Sequence, residues 1–342
     1  MFKHTPRLSA WLLAVALSTP LADAAADSAD SLVTDNAIFV AANGITRYDT
    51  RAATRSWSAL AGRRISGLTL AARYLLAGAS DGIHGLAADT GEPLWRVETQ
   101  TPAFAPMVYR RVAYAGTQGG VLLALDPASG RPIWERRFEG WVYPPAIAGG
   151  HLIVGGSGTR LSGIDPDNGV VRWQRPLDQE LVFRPVQTAA DRVVVTTFAG
   201  TVMALSGAGS PVWTIRDPAP SLSPTVAGGR LFLAGLDGVL RVRDARDGRF
   251  IWRRKITDRF IIAPAVTAQT VLMVHGRTLT ALDIDTGRPV RTQILPFFPT
   301  TAPGAADGRF VLFPPDGRPY IFDPGETPGG LPLSTTHEGV IP

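Results

Sequence analysis

Apolar residues along the chain occur in short runs that are separated by glycine, aspartate and proline. The runs Val112-Ala-Tyr-Ala and Val121-Leu-Leu-Ala-Leu, for example, are divided by the turn Gly116-Thr-Gln-Gly-Gly. Apolar runs of four to six residues between turn-forming residues are typical of β-strands. No segment sustains the 3.6-residue period of an amphipathic helix. The pattern therefore predicts a protein of short strands joined by tight turns.

One motif, Asp-x-x-x-Gly-x-x-x-Trp, recurs along the chain. Full copies span residues 126–134, 165–173 and 244–252, and degenerate copies lie between them. The tryptophans of this motif are 38 to 40 residues apart, and there are six of them: Trp57, Trp95, Trp134, Trp173, Trp213 and Trp252. The same interval continued along the chain reaches Arg291 and then Leu331. Six tryptophans and two positions reached by the same interval thus mark eight repeat ends.

A second residue type keeps the same period. Prolines spaced 39 or 40 residues apart each precede a short apolar segment: Pro106, Pro145, Pro185, Pro224, Pro264 and Pro303. Two unrelated residue types sharing one interval indicate a true structural repeat. Eight repeats would fill residues 31 to about 335.

Each repeat carries four strand signals in about 40 residues, which is the pattern of a propeller blade. We therefore predict an all-β fold, an eight-bladed β-propeller of four-stranded antiparallel blades. A blade cannot bury both of its faces alone, so neighbouring blades must stack around a common axis. The six repeat tryptophans are expected to fill the spaces between blades, because an indole combines a large ring with one N–H donor.

The first residues have the pattern of a secretory signal peptide. Lys3 and Arg7 are positive, residues 8–16 are apolar, and Ala22-Asp23-Ala24 fits a small-residue cleavage site. The apolar run is much shorter than the roughly 20 residues that a membrane span needs. We predict a signal peptide at residues 1–24 and a single propeller domain at residues 25–342. The expected location is the periplasm, with secretion from the cell as the alternative.

Charge and composition exclude several classes of protein. The 342-residue chain has a net charge of +5 and no cysteine. Disulfide frameworks, cysteine-ligated metals and cysteine nucleophiles each require a thiol, and so does a lipid anchor on cysteine. The arginines are scattered along the sequence, whereas a nucleic-acid binder would concentrate them on one face. No later stretch is long and apolar enough to span a membrane. We expect no nucleic-acid partner, no membrane span and no lipid anchor.

Residues 124–134, Ala-Leu-Asp-Pro-Ala-Ser-Gly-Arg-Pro-Ile-Trp, resemble the tryptophan-docking repeat of quinoprotein-type β-propellers. The arrangement of eight such repeats behind a signal peptide resembles the BamB-like family of PQQ-like repeat proteins of the bacterial envelope. This resemblance implies the propeller fold and two function classes, quinoprotein dehydrogenases and non-enzymatic scaffolds. The chain lacks the vicinal cysteine pair of the dehydrogenases. The nearest sequence to the Leu-x-Leu-Arg stretch through which the family's scaffold engages its barrel partner is Leu181-Val-Phe-Arg.

Trp141 breaks the tryptophan period, since it follows Trp134 by seven residues. It lies in the segment that joins the outer strand of one blade to the inner strand of the next. Aromatic and arginine side chains are enriched at binding hot spots. A binding rim around one mouth of the channel is therefore predicted from Trp141, Tyr143, Phe183, Arg184, Arg259 and Phe260. The alternative is that Trp141 only covers a neighbouring blade.

The acidic residues and histidines do not form a catalytic or metal-binding pattern. The histidines lack the spacing of a helical zinc site. Five aspartates recur near turns, where Asx hydrogen bonds to the backbone would explain them: Asp81, Asp126, Asp165, Asp237 and Asp283. We predict no catalytic residue and no metal site.

These observations favour a non-enzymatic periplasmic scaffold that binds one or more envelope proteins, with outer-membrane protein assembly as the role that the resemblance implies. We expect a monomer without a cofactor. One alternative is a small quinoprotein dehydrogenase that binds pyrroloquinoline quinone and calcium. The other is a glycan-binding propeller that uses Trp141 and Tyr143.

Overall fold

The computed structural model describes residues 32–34, 36–50, 54–189, 191–222, 224–258, 262–299, 302–306, 308–314 and 318–325. The predicted signal peptide (residues 1–24) and the last repeat end (Leu331) lie outside the described residues. Within them, all regular structure is β-strand, and every strand pairing is antiparallel.

The first two blades form one six-stranded sheet. Its strands are β1 (Leu32–Val33), β2 (Ala37–Asp49), β3 (Arg55–Ala71), β4 (Tyr74–Ala79), β5 (Gly82–Ala87) and β6 (Pro93–Glu98). The first part of β2 pairs with β1, and its second part pairs with the beginning of β3. The end of β3 pairs with β4 instead. Strand β3 is thus the outer strand of blade 1 and the inner strand of blade 2.

Blades 3 to 7 are separate four-stranded sheets, and three strands of blade 8 are described. Blade 3 comprises β7 (Met107–Tyr109), β8 (Val112–Gly116), β9 (Val121–Leu125) and β10 (Pro132–Arg137). Blade 4 comprises β11 (Ala146–Ala148), β12 (His151–Val154), β13 (Arg160–Ile164) and β14 (Val171–Pro176). Blade 5 comprises β15 (Val186–Ala189), β16 (Arg192–Thr196), β17 (Thr201–Ser206) and β18 (Pro211–Arg216).

The remaining blades continue this order. Blade 6 comprises β19 (Thr225–Ala227), β20 (Arg230–Ala234), β21 (Val239–Asp244) and β22 (Phe250–Lys255). Blade 7 comprises β23 (Ala265–Val266), β24 (Thr270–His275), β25 (Thr278–Asp283) and β26 (Pro289–Ile294). Blade 8 comprises β27 (Gly304–Ala306), β28 (Arg309–Leu312) and β29 (Tyr320–Phe322). The predicted eight-bladed all-β propeller is confirmed.

The core of the protein is distributed among the spaces between blades. The described residues contain eight hydrophobic clusters, one for each pair of neighbouring blades. The ring closes between blade 8 and blade 1, where Val311 and Phe313 pack against Ile38 and Val40. The inner strands β27 and β1 are in contact there. Closure therefore rests on side-chain packing between the two ends of the described chain.

Each repeat tryptophan contacts the following blade. The Trp134 indole donates its N–H to the Pro166 carbonyl at 2.8 Å, and its ring lies against Gly169. Gly169 has φ +70, a conformation that glycine adopts without strain. Five further indoles donate in the same way to a carbonyl of the next blade: Trp57, Trp95, Trp173, Trp213 and Trp252.

Arg291 takes the tryptophan position in blade 7. Its Nη1 donates to the Asp323 carbonyl at 2.9 Å, which lies 32 residues further along the chain. Its guanidinium also lies over the Phe322 ring, 4.8 Å from the centroid. Arginine therefore reproduces the hydrogen bond of the indole contact, and stacking on Phe322 takes the place of packing against a glycine.

The interface between blades 5 and 6 contains a buried ion pair. Asp217 accepts a hydrogen bond from Arg243 at 2.7 Å, and the two side chains are 2% and 15% exposed. The corresponding position to Asp217 is Leu177 in blade 4 and Ile256 in blade 6, and both belong to hydrophobic clusters. Asp217 Oδ2 and Arg243 Nε have no hydrogen-bond partner. An apolar contact at this interface has thus been replaced by a charged one.

Gly169→Ala should destabilise the protein more than Gly150→Ala. Both glycines have positive φ, but a Cβ on Gly169 would lie 2.8 Å from the Trp134 ring, whereas a Cβ on Gly150 would meet nothing within 4 Å. The left-handed conformation costs alanine about 1–2 kcal/mol at either site. Overpacking against the indole should add about 1–3 kcal/mol at Gly169. Urea unfolding measures both, and equal losses would contradict the docking role of the ring.

Replacing Asp217 alone by leucine should destabilise the protein by about 3–5 kcal/mol, because Arg243 would remain buried without its partner. The double variant D217L/R243L should recover most of that loss or exceed the wild type. Urea unfolding of the three proteins tests this coupling. If the double variant loses the sum of the single losses, the two side chains do not act as a pair.

Candidate functional site

The ring has two distinct faces. The crossover face carries the segments between blades and the turns between the second and third strands; Gln118 N–H, in one such turn, donates to the Pro102 carbonyl in a crossover at 2.9 Å. The hairpin face carries the turns between first and second strands and between third and fourth strands. There, Ala88 N–H donates to the Arg73 carbonyl at 2.9 Å. The predicted rim residues that the structure describes, Trp141, Tyr143, Phe183 and Arg184, lie in segments of the crossover face.

Four aromatic side chains from three successive crossovers form one cluster, which we call the aromatic cluster. Its members are Phe104, Trp141, Tyr143 and Phe183. Tyr143 is central, with its ring centroid 5.5 Å from that of Phe104 and 5.4 Å from that of Phe183. Trp141 lies 6.3 Å from Phe104 and 6.5 Å from Tyr143. These separations are those of favourable aromatic pairs.

Backbone hydrogen bonds fix the crossovers that present these rings. Phe104 N–H donates to the Gly116 carbonyl at 2.9 Å, and Tyr143 N–H donates to the Gly155 carbonyl at 3.0 Å. The corresponding donor in the next crossover is Val182. This donor precedes its repeat proline by three residues, whereas the donors of the other two crossovers precede theirs by two. Phe183 is therefore part of a crossover that is one residue longer, and its ring reaches Tyr143.

Trp141 is held by its own backbone, because its N–H donates to Ser157 Oγ at 2.7 Å. The side chains of Trp141 and Phe183 are half-buried, whereas Phe104 and Tyr143 are each only 8% exposed. The cluster thus has a buried base of two rings and a partly accessible edge of two rings. An accessible aromatic edge on a fixed backbone is suited to binding an apolar or planar group.

Glu180 adds a carboxylate whose charge acts on Tyr143. It takes the position in its crossover that Trp141 takes in the preceding one, and its backbone carbonyl accepts a hydrogen bond from Phe198 at 3.0 Å. Burial raises the pKa of the Glu180 carboxyl above its ordinary value. The pKa of the Tyr143 phenol is raised as well, by burial first and by the Glu180 charge second. The site therefore combines aromatic rings with an incompletely solvated negative charge.

The remaining predicted rim residues are placed differently. Arg184 is exposed next to Phe183. Arg259 and Phe260 lie outside the described residues. Phe104 and Glu180 were not predicted as site residues, although both share a repeat position with residues of the cluster. An alignment of the crossovers on the repeat tryptophans and prolines could have identified both residues, because it places them at the positions of Tyr143 and Trp141.

The turn aspartates fall into two groups. Asp126, Asp165 and Asp283 accept hydrogen bonds from backbone N–H groups two residues later, as predicted. Asp81 instead binds the side chains of Arg63 at 2.9 Å and His84 at 2.8 Å, so the Asx-turn prediction was wrong there. Burial of Asp81 opposes its ionisation, but the hydrogen bonds from His84 and Arg63 outweigh this and lower its pKa to about 2.

Asp237 accepts the predicted hydrogen bond from the backbone N–H two residues later and also forms an ion pair. Both of its carboxylate oxygens bind Arg241, at 3.0 and 2.5 Å, in addition to a backbone contact with Val239 at 3.2 Å. The hydrogen bond from Arg241 lowers the Asp237 pKa despite its burial. Asp81 and Asp237 therefore stabilise blades 2 and 6 by ion pairing within the blade.

A quinoprotein dehydrogenase of the family that this sequence resembles would use metal ligands and a cysteine pair. No three histidine, aspartate or glutamate side chains in the described part of the chain lie close enough together to hold a metal ion. The sequence contains no cysteine that could form a vicinal pair. The described ranges also contain no helix with the length and apolar character needed to cross a membrane.

Antiparallel four-stranded blades joined by indole contacts define a β-propeller built from tryptophan-docking repeats. A family model described as "Outer membrane protein assembly factor BamB" matches residues 79–221 and 199–293, which together exceed half of the chain. The chain belongs to this family. In contrast, no curated protein matches it in sequence.

Two solved structures share the fold. BamB from Moraxella catarrhalis is 20% identical, with a TM-score of 0.65, and the alignment covers 75% of this chain and 84% of that one. The computationally designed Ika8 protein is 15% identical, with a TM-score of 0.77 and coverage of 87% and 96%. The similarity to a natural and to a designed protein at such low identity is a similarity of fold.

Glu180→Gln should stabilise the protein more at pH 7 than at pH 4. Because burial raises the folded-state pKa of the Glu180 carboxyl above its ordinary value, wild-type stability falls as pH rises from the ordinary value through the folded one. A glutamine side chain does not ionise, so the variant should not lose stability in this way as the pH rises. Thermal unfolding from pH 4 to 7 measures the difference in Tm, with Glu139→Gln, an exposed residue of the preceding crossover, as the control. A pH-independent difference would contradict the assigned burial cost.

Proposed function

We propose that this protein is a non-enzymatic periplasmic scaffold that binds another envelope protein through its crossover face, in the assembly of outer-membrane proteins. The observation that carries this proposal is the aromatic cluster, in which rings from three blades meet at one place on a rigid ring. The family supports the assembly role, since its model is described as an outer-membrane protein assembly factor. The periplasmic location rests on the predicted signal peptide, which lies outside the described residues.

Preorganisation supports binding at this site. Side chains that already occupy fixed positions lose little conformational entropy when a partner docks. Trp141 and Phe183 are both partly accessible, and both are supported from below by Tyr143. Aromatic side chains in such positions supply a large share of binding energy at protein interfaces. The partner should therefore insert an apolar or planar side chain at this edge.

The Glu180 carboxylate indicates which side chains of a partner would bind best at this site. A carboxylate that burial has partly desolvated gains most from a cationic group or a hydrogen-bond donor. Arginine satisfies both the aromatic rings and the carboxylate, because its guanidinium stacks on rings and donates to carboxylates. We propose that the partner places an arginine or lysine side chain between Trp141 and Glu180.

A photo-crosslinking residue at position 139 should form an adduct with one envelope protein. Glu139 is exposed and lies two residues before Trp141 on the crossover face. The same probe at Ser129, an exposed turn residue of the hairpin face, is the matched control and should not form that adduct. Trp141→Ala should lower the yield at position 139 about tenfold, the effect expected for loss of a hot-spot side chain.

Three outcomes would contradict the proposal. The first is an adduct from both faces with equal yield. The second is recovery of glycan without protein, which would favour the glycan-binding alternative. The third is dye reduction by the purified protein after addition of pyrroloquinoline quinone and Ca²⁺, which would favour the dehydrogenase.

A further inference from the structure

The turn between the first two strands of blade 3 has an unusual backbone. Its two residues, Arg110 and Arg111, have φ values of 47° and 65°. Blade 4 has Gly149 and Gly150 at this turn, with φ values of 52° and 78°. A two-residue hairpin with positive φ at both positions favours glycine or asparagine. Blade 3 therefore keeps two arginines in a conformation that strains any residue with a Cβ.

The same turn in blade 2 is also basic and strained. Ala72 has φ 53°, and Arg73 follows it. Arg73 lies over the Tyr74 ring, 5.2 Å from the centroid, and donates to the Tyr74 hydroxyl at 3.0 Å. The inner strands β3 and β7, which lead into the two turns, are in contact. The turns of blades 2 and 3 are thus neighbours on the hairpin face.

Arg110 repeats the stacking seen at Arg73. Its guanidinium lies 5.0 Å from the centroid of the Tyr109 ring. The side chains of Arg73, Arg110 and Arg111 are all exposed. Stacking on a tyrosine fixes the plane of a guanidinium and leaves the N–H groups of Arg110 available to an anion, whereas Nε and Nη2 of Arg73 already donate to the Tyr74 hydroxyl. We call these three arginines with Tyr74 and Tyr109 the arginine turns.

Within the described part of the chain, no carboxylate forms an ion pair with these three arginines. Among the arginines that directly follow such turns elsewhere, Arg230 pairs with Asp285 and Arg309 with Asp323 at 3.5 Å, whereas Arg192 donates to the Arg246 carbonyl. The arginines of blades 2 and 3 lie within their turns instead, and the described residues offer them no ion pair.

Two acidic residues of a blade 4 hairpin turn act in the neighbourhood of Arg110. Asp165 and Asp167 act on the Tyr114 phenol together with Arg110. Asp165 is already bound by Arg172 at 2.5 Å. Within the described residues, Asp167 forms no ion pair with the three arginines. No ion pair therefore neutralises the arginine turns in this part of the structure.

We propose that the arginine turns bind the phosphate headgroups of an anionic lipid surface. Guanidinium groups bind phosphate oxygens through paired hydrogen bonds, and tyrosine is enriched at membrane–water interfaces. Two adjacent turns that project from one face can contact several headgroups of a lipid surface at once. A free phosphate ion would contact fewer of these arginines, so a lipid surface should bind more tightly. The retained backbone strain supports a functional reason for arginine at a position where glycine would relieve it.

Sedimentation with lipid vesicles tests this proposal. Wild-type protein should bind vesicles of phosphatidylcholine with 30 mol% phosphatidylglycerol, and should not bind pure phosphatidylcholine. The variant R110G/R111G should bind the anionic vesicles about 25-fold more weakly, at about fivefold for each arginine near an anionic surface. It should unfold at the same or a higher temperature than the wild type, because glycine removes the strain.

The matched control is R249Q/R253Q, which removes the same charge from exposed positions in blade 6. It should retain most of the vesicle binding. Equal losses in the two double variants would overturn the proposal, since net charge alone would then explain binding. Tight binding of inorganic phosphate without vesicle binding would also overturn it, because the ligand would then be a free anion.

Discussion

The contact between each repeat tryptophan and the next blade is the constraint on which this fold depends. An indole donates to a carbonyl 31 to 34 residues ahead, and its ring covers a glycine of the same turn. The donor, the acceptor and the glycine must therefore keep their spacing in every repeat. A four-stranded sheet cannot bury both of its faces alone, so this contact joins blades 1 to 7 in series, while Arg291 and the packing of blade 8 on blade 1 complete the ring. The period of the sequence is a direct consequence of that packing.

Because the contact is repeated, single interfaces can differ without loss of the ring. Arg291 replaces an indole and still donates to the next blade. Asp217 and Arg243 replace an apolar pair, and their unpartnered atoms indicate that this interface is not optimised for stability alone. Each substitution is compensated within its own interface, since the exchanged residues are direct neighbours. Local compensation explains how sequences with low identity can keep one architecture.

The fold could be predicted from sequence because its determinants repeat, whereas the site could not be predicted fully because it depends on departures from the repeat. Trp141 was found since it breaks the tryptophan period. Phe104 and Glu180 were missed, because neither breaks any pattern and their proximity to Tyr143 depends on how successive crossovers converge at the face. Asp81 was taken for a turn residue, since its partners Arg63 and His84 become visible only when the strands are paired.

The two faces of the ring differ in chemistry for a reason that lies in their construction. Crossovers run across the face toward the axis and bring side chains from successive blades together, which favours a cluster such as that of Phe104, Tyr143 and Phe183. Hairpin turns place charged side chains such as Arg73 and Arg110 at exposed positions, and the turns between third and fourth strands also accept the indole of the preceding blade. A closed ring without a hinge offers no second arrangement through which one face could alter the other. Ligands on the two faces should therefore bind independently. The protein would hold the two ligands near each other without changing the affinity of either.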